Sequence, residues 1–120
     1  MPGRNVAQGR RAEQLACEHL ESRGLRPVAR NYRCKAGELD LIMEEADTLV
    51  FVEVRFRRNT RYGSGTETVD RRKRAKVIAA ASHYLQRCES RGRACRFDVV
   101  SITTDRRAFA IQWIRDAFSA

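Results

Sequence analysis

The stretch Gly37-Glu-Leu-Asp-Leu-Ile-Met-Glu-Glu-Ala-Asp-Thr-Leu-Val-Phe-Val-Glu-Val-Arg55 decides the fold of this 120-residue chain. Apolar residues alternate with other side chains on both sides of a short polar turn at 44–48, as in two antiparallel β-strands. The second strand is rich in Val and Phe, so we expect it inside a sheet. Glu53 lies within that strand, and an unpaired buried carboxylate is costly. Glu53 therefore needs a cation nearby.

A second carboxylate, Asp40, lies on the first of the two predicted strands. Opposed residues of an antiparallel pair have Cβ atoms about 4.5–5.5 Å apart, so Asp40 and Glu53 converge if the register allows it. Two carboxylates that face one point suit a hard cation such as Mg²⁺ or Mn²⁺. Alternatively, Glu53 and Arg55 simply form ion pairs with other side chains at a strand end, and spacing alone does not decide between these interpretations.

The bulk composition limits the class of protein. The chain is 42% hydrophobic and 32% charged, which is typical of one globular domain over residues 1–120. No apolar run is long enough to span a membrane and the N-terminus lacks the apolar core of a secretory signal, so we expect a cytoplasmic protein without a membrane partner. The four cysteines form no C-x-x-C pair, which favours reduced, structural thiols.

The charge balance points to a polyanionic partner. The formal net charge is +9, from 24 Lys and Arg against 15 Asp and Glu, and nucleic acid is the commonest partner of a small basic domain. A GC-rich coding bias would explain the preference for Arg over Lys, but it does not explain the surplus of positive charge. A surface that is basic only for solubility is the alternative.

The remaining pattern predicts an α/β domain. Apolar residues recur at helical spacing in two segments, and three further segments are extended in pattern besides the acidic hairpin. The order of helix, two strands, helix and two strands predicts a mixed central sheet flanked by helices. The first helical segment is 7–24. The second ends near Arg87, has Thr68 as a candidate cap and carries Cys88 on its apolar side. The extended segments are 28–33, 96–103 and 108–114.

Basic residues cluster directly after the second acidic strand. The loop there and the first turns of the following helix carry cations suited to phosphate contacts, and a loop tyrosine could stack on a base or sugar. Positive charge at a helix N-terminus opposes the helix dipole, which indicates a function there. For any single residue a solvated side chain is the alternative. The candidate nucleic-acid contacts are Arg57, Arg58, Arg61, Tyr62, Arg72, Lys73 and Lys76.

The ordered set of motifs resembles a known family. Gly37-Glu38-x-Asp40, followed after twelve residues by Glu53-Val-Arg55, is similar to the PD-(D/E)xK nuclease motif. Nearly the whole chain resembles the YraN-like family of small bacterial proteins. The family has a restriction-endonuclease-like three-layer fold close to that of Holliday-junction resolvases. The matching segments include Gly9-x-x-Ala12-Glu13, Asn31-Tyr-Arg33, Tyr62-Gly63, Arg96-Phe-Asp-Val-Val100 and Ala117-Phe118.

The resemblance implies a site and an activity. It implies a Mg²⁺ or Mn²⁺ site made by Asp40, Glu53 and the Val54 carbonyl, completed by Glu13 from the first helix. On the helix face alone, Glu13 lies at the border of the apolar stripe and could equally be a solvated acid. Glu38 would orient a water beside this site. The implied activity is metal-assisted cleavage of DNA, in preference to RNA, with branched DNA as one substrate and a homodimer as one assembly, since resolvases are dimers.

One position departs from the family motif, which ends in Lys where this chain has Arg55. An Arg side chain has a pKa above about 12 and cannot act as a general base. It can still hold a phosphate and stabilise developing charge, as Lys73 could from the following helix. Two interpretations stay open: an active nuclease that uses Asp40, Glu53, Arg55 and Glu38, or a nuclease-fold module that binds DNA or RNA with little or no turnover.

Overall fold

The computed structural model describes residues 6–58, 70–89, 92–104 and 108–120. Within these ranges two helices and five strands form a mixed α/β domain, which confirms the predicted class. The strand before the acidic hairpin is a full member of the sheet, so three strands precede the second helix. The elements are α1 (Val6–Glu21), β1 (Arg26–Cys34), β2 (Gly37–Glu45), β3 (Thr48–Arg58), α2 (Arg71–Arg87), β4 (Cys95–Thr104) and β5 (Phe109–Phe118).

The five strands lie in the sheet in their order along the chain. β3 and β4 run parallel and are joined through α2, whereas every other neighbouring pair is antiparallel. β2 and β3 form the predicted hairpin, with Ala46 and Asp47 between them. Ala46 has a φ of 52°, the left-handed conformation that such short turns require. The sheet is therefore mixed, as predicted.

Alternation along β3 divides the core into two clusters. Val50, Val52 and Val54 belong to the cluster that contains the buried residues of α1. Leu49 and Phe51 belong to the cluster that contains those of α2. Since successive side chains of a strand point to opposite faces, the two helices cover opposite faces of the sheet. Burial of each Val or Phe side chain contributes about 1.5–3 kcal/mol to the stability of the fold. A sheet covered by one helix on each face is compatible with a three-layer architecture.

The N-cap of α2 and the side on which Cys88 lies differ from the sequence prediction, whereas the helix ends at Arg87 as predicted. Its N-cap is Asp70, whose side chain accepts a hydrogen bond from the Lys73 backbone N–H at 2.8 Å. The predicted cap, Thr68, lies outside the described residues. The carboxylate of Asp70 offsets the positive charge of the first turns. Cys88 is exposed, not inward as predicted, because the helix ends at Arg87 and Cys88 forms the C-cap.

Two further expectations concern the cysteines and the membrane. All four cysteines are free thiols, and Cys17 alone among them is buried. The described part of the chain contains no helix with the length and apolar character needed to cross a membrane.

Candidate metal and phosphate site

Asp40 and Glu53 meet where the pairing of β2 with β3 ends. The last paired residues at this end are Leu41 and Val52, and the two acids are the next residue on each strand. One oxygen of Asp40 (Oδ2) accepts a hydrogen bond from the Val54 N–H at 2.9 Å, so the acid of β2 is fixed to β3. Burial raises the Glu53 pKa most, and the negative charge of Asp40 and its hydrogen bond to Glu53 raise it further. The structure thus brings together the two carboxylates that the sequence singled out.

The alternation of β2 is interrupted at Asp40. Leu41 lies in the core cluster beneath α1, and Leu39, two residues earlier, lies in the cluster beneath α2. In a regular strand both residues would face the same side. Asp40 therefore occupies the point where β2 changes face, and it is only partly buried there. The carboxylate of Asp40 lies outside both apolar clusters of the core.

Glu53 is a buried carboxylate that is only partly compensated. It is 8% exposed, and its Oε2 lies 3.3 Å from Nζ of Lys73 at the start of α2. Burial, followed by the charge of Asp40, raises the pKa of Glu53 from 4.5 to about 7, although Lys73 acts in the opposite direction. Lys73 therefore compensates the buried charge of Glu53 only in part. From the sequence, the cation expected beside Glu53 was a metal ion or Arg55, and the contact with Lys73 was missed.

The position of Lys73 over the acids depends on close contact between β2 and α2. A Cβ atom placed on Gly37 would lie 2.8 Å from the backbone carbonyl oxygen of Lys76. Real Cβ atoms do not come this close to a carbonyl oxygen, so only glycine fits at the first residue of β2 without moving the helix. Gly37 therefore lets the first turns of α2 settle against the acidic strand.

A groove of about 450 Å³ lies between the β1–β2 turn and α2. Its charged side chains are three cations and one acid. The acid, Glu38, is exposed and forms an ion pair with Arg33 at 3.0 Å. The groove therefore carries a net positive charge next to the two acids, which is a suitable environment for phosphate. It is lined by Arg33, Cys34, Gly37, Glu38, Lys73, Lys76 and Val77.

The other predicted ligands of a metal ion are Glu13 and the Val54 carbonyl. Glu13 is half-buried on α1. Within the described ranges, no group of three or more His, Cys, Asp or Glu side chains is placed to hold a metal ion. Completion of the site by Glu13 stays a prediction, as does ligation by the Val54 carbonyl.

The predicted nucleic-acid contacts fall into three groups. Lys73 and Lys76 line the groove, and Arg72 is exposed on the same helix. Arg57 is half-buried on β3 opposite Thr103 of β4, and Arg55, a predicted catalytic residue of the same strand, is half-buried opposite Ser101. The third group lies outside the described residues and comprises Arg61, Tyr62 and the side chain of Arg58.

A second buried acid, Asp98 on β4, was not singled out from the sequence. It is fully buried and accepts hydrogen bonds from the Trp113 indole N–H at 2.8 Å, the Asp116 backbone N–H at 2.9 Å and the Arg96 guanidinium. Arg96 continues this network to Glu45 at 2.6 Å. The signal that drew attention to Glu53, an acid in a Val-rich strand, also exists here in Arg96-Phe-Asp-Val-Val100. Because Trp113 and Asp116 belong to β5, their hydrogen bonds to Asp98 join β4 to β5.

Comparison with known proteins gives the chain a family. A family model described as "Uncharacterised protein family UPF0102" matches residues 12–102. This chain belongs to the UPF0102 family. A UPF0102 protein of Nitrosococcus oceani is 51% identical over 118 residues, which cover 98% of this chain and 95% of that protein. Another, from Pseudomonas fluorescens strain Pf0-1, is 50% identical over the full length of both proteins, and one from Stutzerimonas stutzeri is 50% identical over 95% of this chain. The YraN-like resemblance is thereby confirmed at the level of the family.

Proposed function

We propose that this UPF0102 protein is a metal-dependent endonuclease of the PD-(D/E)xK class, with the corresponding restriction-endonuclease-like fold, and that it cleaves DNA. One observation carries the proposal: Asp40 and Glu53 lie together at the end of the β2–β3 pairing, with Lys73 3.3 Å from Glu53. A pair of acids beside a cationic groove combines a hard-oxygen cation site with a phosphate site. The +9 charge of the chain supports nucleic acid as the substrate.

The donor set fits Mg²⁺ or Mn²⁺. Carboxylate oxygens are the ligands that these cations prefer, and a bound cation would offset the burial of Glu53 and the nearby charge of Asp40, the two largest causes of its raised pKa. Asp40 and Glu53 would hold the ion, with the Val54 carbonyl and Glu13 as further candidates. When bound, the ion would polarise the scissile phosphate and lower the pKa of a water.

The cationic side chains would bind and orient the phosphate. Lys73 contacts Glu53 and also lines the groove, so its ammonium group can reach a phosphate held beside the acids. Arg55 occupies the position of the motif lysine, and its planar guanidinium can donate two hydrogen bonds to one phosphate. Lys73 therefore supplies the amine that the motif position lacks in this chain.

Arg55 also favours a second candidate function. A nuclease-fold module that has lost turnover would keep its basic surface and bind DNA or RNA without cleaving it. The salt dependence of binding measures this surface directly, because each neutralised phosphate releases counterions. Steep salt dependence without cleavage in Mg²⁺ or Mn²⁺ would favour the binding module over the nuclease.

Cleavage of labelled branched and linear DNA, with Mg²⁺, Mn²⁺ or EDTA, tests the nuclease. We expect cleavage that requires the metal and is lost in Asp40→Asn. Asp47→Asn is the matched control, because Asp47 is an exposed acid of the hairpin turn, and this variant should cleave like the wild type. Equal cleavage by Asp40→Asn and Asp47→Asn would overturn the assignment of the site.

A further inference from the structure

Beyond the two acids, polar and aromatic side chains continue along the contact between α2 and β1. We call this line the α2–β1 seam and define it by Lys76 and His83 on α2 and by Tyr32, Arg33 and Cys34 on β1. The seam starts at the groove, where Lys76 contacts the β2 strand through Gly37. It ends where Tyr32 meets His83. His83 lies ten positions after Lys73, the residue that contacts Glu53, so the seam ends about 15 Å along the helix from the two acids.

The groove end of the seam has cationic charge available for an anion. Arg33 is held by Glu38 and Lys73 by Glu53. Within the part of the chain that the structure describes, Lys76 forms no ion pair with a carboxylate, and it is exposed in the wall of the groove. An ammonium group in this position can bind a phosphate without first breaking an ion pair.

The far end of the seam presents an aromatic ring in a fixed orientation. The hydroxyl of Tyr32 and Nδ1 of His83 lie 2.5 Å apart and share a hydrogen bond. Tyr32 in turn packs edge-on against Tyr84, with ring centroids 5.2 Å apart, and Tyr84 packs against the buried Phe51. His83 itself is exposed. A ring that is exposed to solvent yet anchored to the core is a platform on which a planar base can stack.

We propose that the α2–β1 seam binds a single-stranded segment of DNA that extends from the two acids, Asp40 and Glu53, toward His83. The inference rests on the proposed function and specifies its substrate: DNA with an unpaired arm beside the cleaved bond. A groove of about 450 Å³ is the size of a small-molecule pocket, about 300–1,000 Å³, and accepts a nucleotide but not a duplex. In a duplex the base faces are stacked on each other, so His83 can stack only on an unpaired base.

Within this assignment, Lys76 and Arg33 neutralise phosphates and His83 stacks on a base. Tyr32 is a positioning residue, because it holds the imidazole of His83 and does not itself contact DNA. Stacking of one base on an aromatic side chain contributes about 1–3 kcal/mol. Loss of His83 should therefore weaken binding of a single strand by roughly fivefold or more.

Fluorescence anisotropy with labelled oligothymidylate and with a blunt duplex of equal length tests the seam. The measurements are made in EDTA, so that cleavage cannot occur. We expect tighter binding of the single strand than of the duplex, and weaker binding of the single strand by Lys76→Ala and by His83→Ala. Arg71→Ala is the matched control: Arg71 is an exposed cation on the same helix, five residues before Lys76 and thus about 140° around the helix.

The two histidines of the chain allow an independent measurement. In an NMR titration with oligothymidylate, the ring signals of His83 should shift, whereas those of His19 should not, because α1 covers the opposite face of the sheet. Equal effects of Lys76→Ala, His83→Ala and Arg71→Ala, or equal affinity for single strand and duplex, would overturn the inference.

The outcomes also separate this inference from the proposed function. If metal-dependent cleavage is lost in Asp40→Asn but Lys76→Ala and His83→Ala bind the single strand like the wild type, the proposed nuclease function is supported and the seam is rejected. Single-strand binding that requires Lys76 and His83, without cleavage in any metal, would support the seam and reject the nuclease.

Discussion

Nζ of Lys73 lies 3.3 Å from Oε2 of Glu53, and this contact joins the first turn of α2 to the middle strand of the sheet. The side chain of Glu53 is 10% exposed and that of Lys73 is 44% exposed, so the ion pair stands between the core and the groove. The acid has a pKa near 7 despite the neighbouring ammonium group, because burial and Asp40 together outweigh it. The electrostatic balance of the site therefore depends on a cation that solvent and a phosphate can both reach.

Removal of the positive charge of Lys73 should raise the Glu53 pKa further. In Lys73→Met the opposing influence is lost, whereas burial and Asp40 remain. The carboxyl signal of Glu53 in a ¹³C NMR titration should then move at a higher pH than in the wild type. Lys73→Arg retains a positive charge and is the matched control. An unchanged titration in Lys73→Met would mean that this contact does not form in solution.

The raised pKa of Glu53 makes the stability of the protein depend on pH. The unfolded chain loses the Glu53 proton near pH 4.5 and the folded chain near pH 7. Between these values the folded state binds more protons, so the contribution of Glu53 to stability is full below about pH 4.5 and declines as the pH rises toward 7. The difference corresponds to about 3 kcal/mol.

Glu53→Gln isolates this effect, because glutamine does not ionise. Compared with the wild type in EDTA, the variant should have a similar free energy of unfolding at about pH 4 and one up to about 3 kcal/mol higher at about pH 8. Glu38→Gln is the control, since Glu38 is an exposed acid. Urea denaturation at several pH values gives the comparison. If the free energies of unfolding of the wild type and Glu53→Gln differ by the same amount at every pH, Glu53 is not a buried, ionisable group.

The local pattern was sufficient to predict most of the fold. Alternation of Val and Phe with polar residues located β3, and the short polar turn predicted the antiparallel β2–β3 hairpin. Two parallel strands such as β3 and β4 need a crossover connection, usually a helix. The helical periodicity before Arg87 predicted that helix. The N-cap of α2 is Asp70 and not the predicted Thr68, because Thr and Asp are both good capping residues and the sequence alone does not choose between them.

The candidate site could be predicted only in part. A costly acid in an apolar strand indicated Glu53, and the strand register brought Asp40 beside it. The partnership of Lys73 with Glu53 depends on how α2 lies across the sheet, which follows from contacts such as that of Gly37 with Lys76. Contacts between elements distant along the chain leave no periodic signal in one sequence. For the same reason the role of Asp98 became clear only from its partners on β5.

A divalent cation should stabilise the folded protein through the two acids. A ligand that binds only the folded state stabilises it by mass action, by about 2.7 kcal/mol when its concentration is a hundredfold above Kd. We expect the midpoint of thermal unfolding to rise with Mn²⁺ concentration in the wild type and in Asp47→Asn. In Asp40→Asn the rise should be lost. A similar rise in all three proteins would place the bound cation elsewhere on the molecule.

Gly37→Ala should disturb the site by moving α2. The added Cβ would lie 2.8 Å from the Lys76 carbonyl oxygen, and a backbone atom cannot rotate away. We expect a loss of stability on the order of 1–3 kcal/mol, as for overpacking, together with weaker DNA binding. Gly24→Ala is the control, since Gly24 has a φ of 99° but no atom within 4 Å of its Cβ position. That variant should lose stability through backbone strain and keep the DNA affinity of the wild type.

Asp98→Asn should destabilise the protein without involving the candidate site. Asp98 is fully buried, and its substitution leaves the guanidinium of Arg96, whose side chain is only 16% exposed, without its buried counter-charge. Removal of one partner of a buried ion pair costs about 3–5 kcal/mol. Trp113 donates to Asp98 and is the only tryptophan of the chain, so its fluorescence reports urea unfolding and the local change together. Glu45→Gln, which weakens the partly exposed end of the same network, should cost about 1 kcal/mol or less. Equal losses in the two variants would show that the buried acid contributes no more than the surface one.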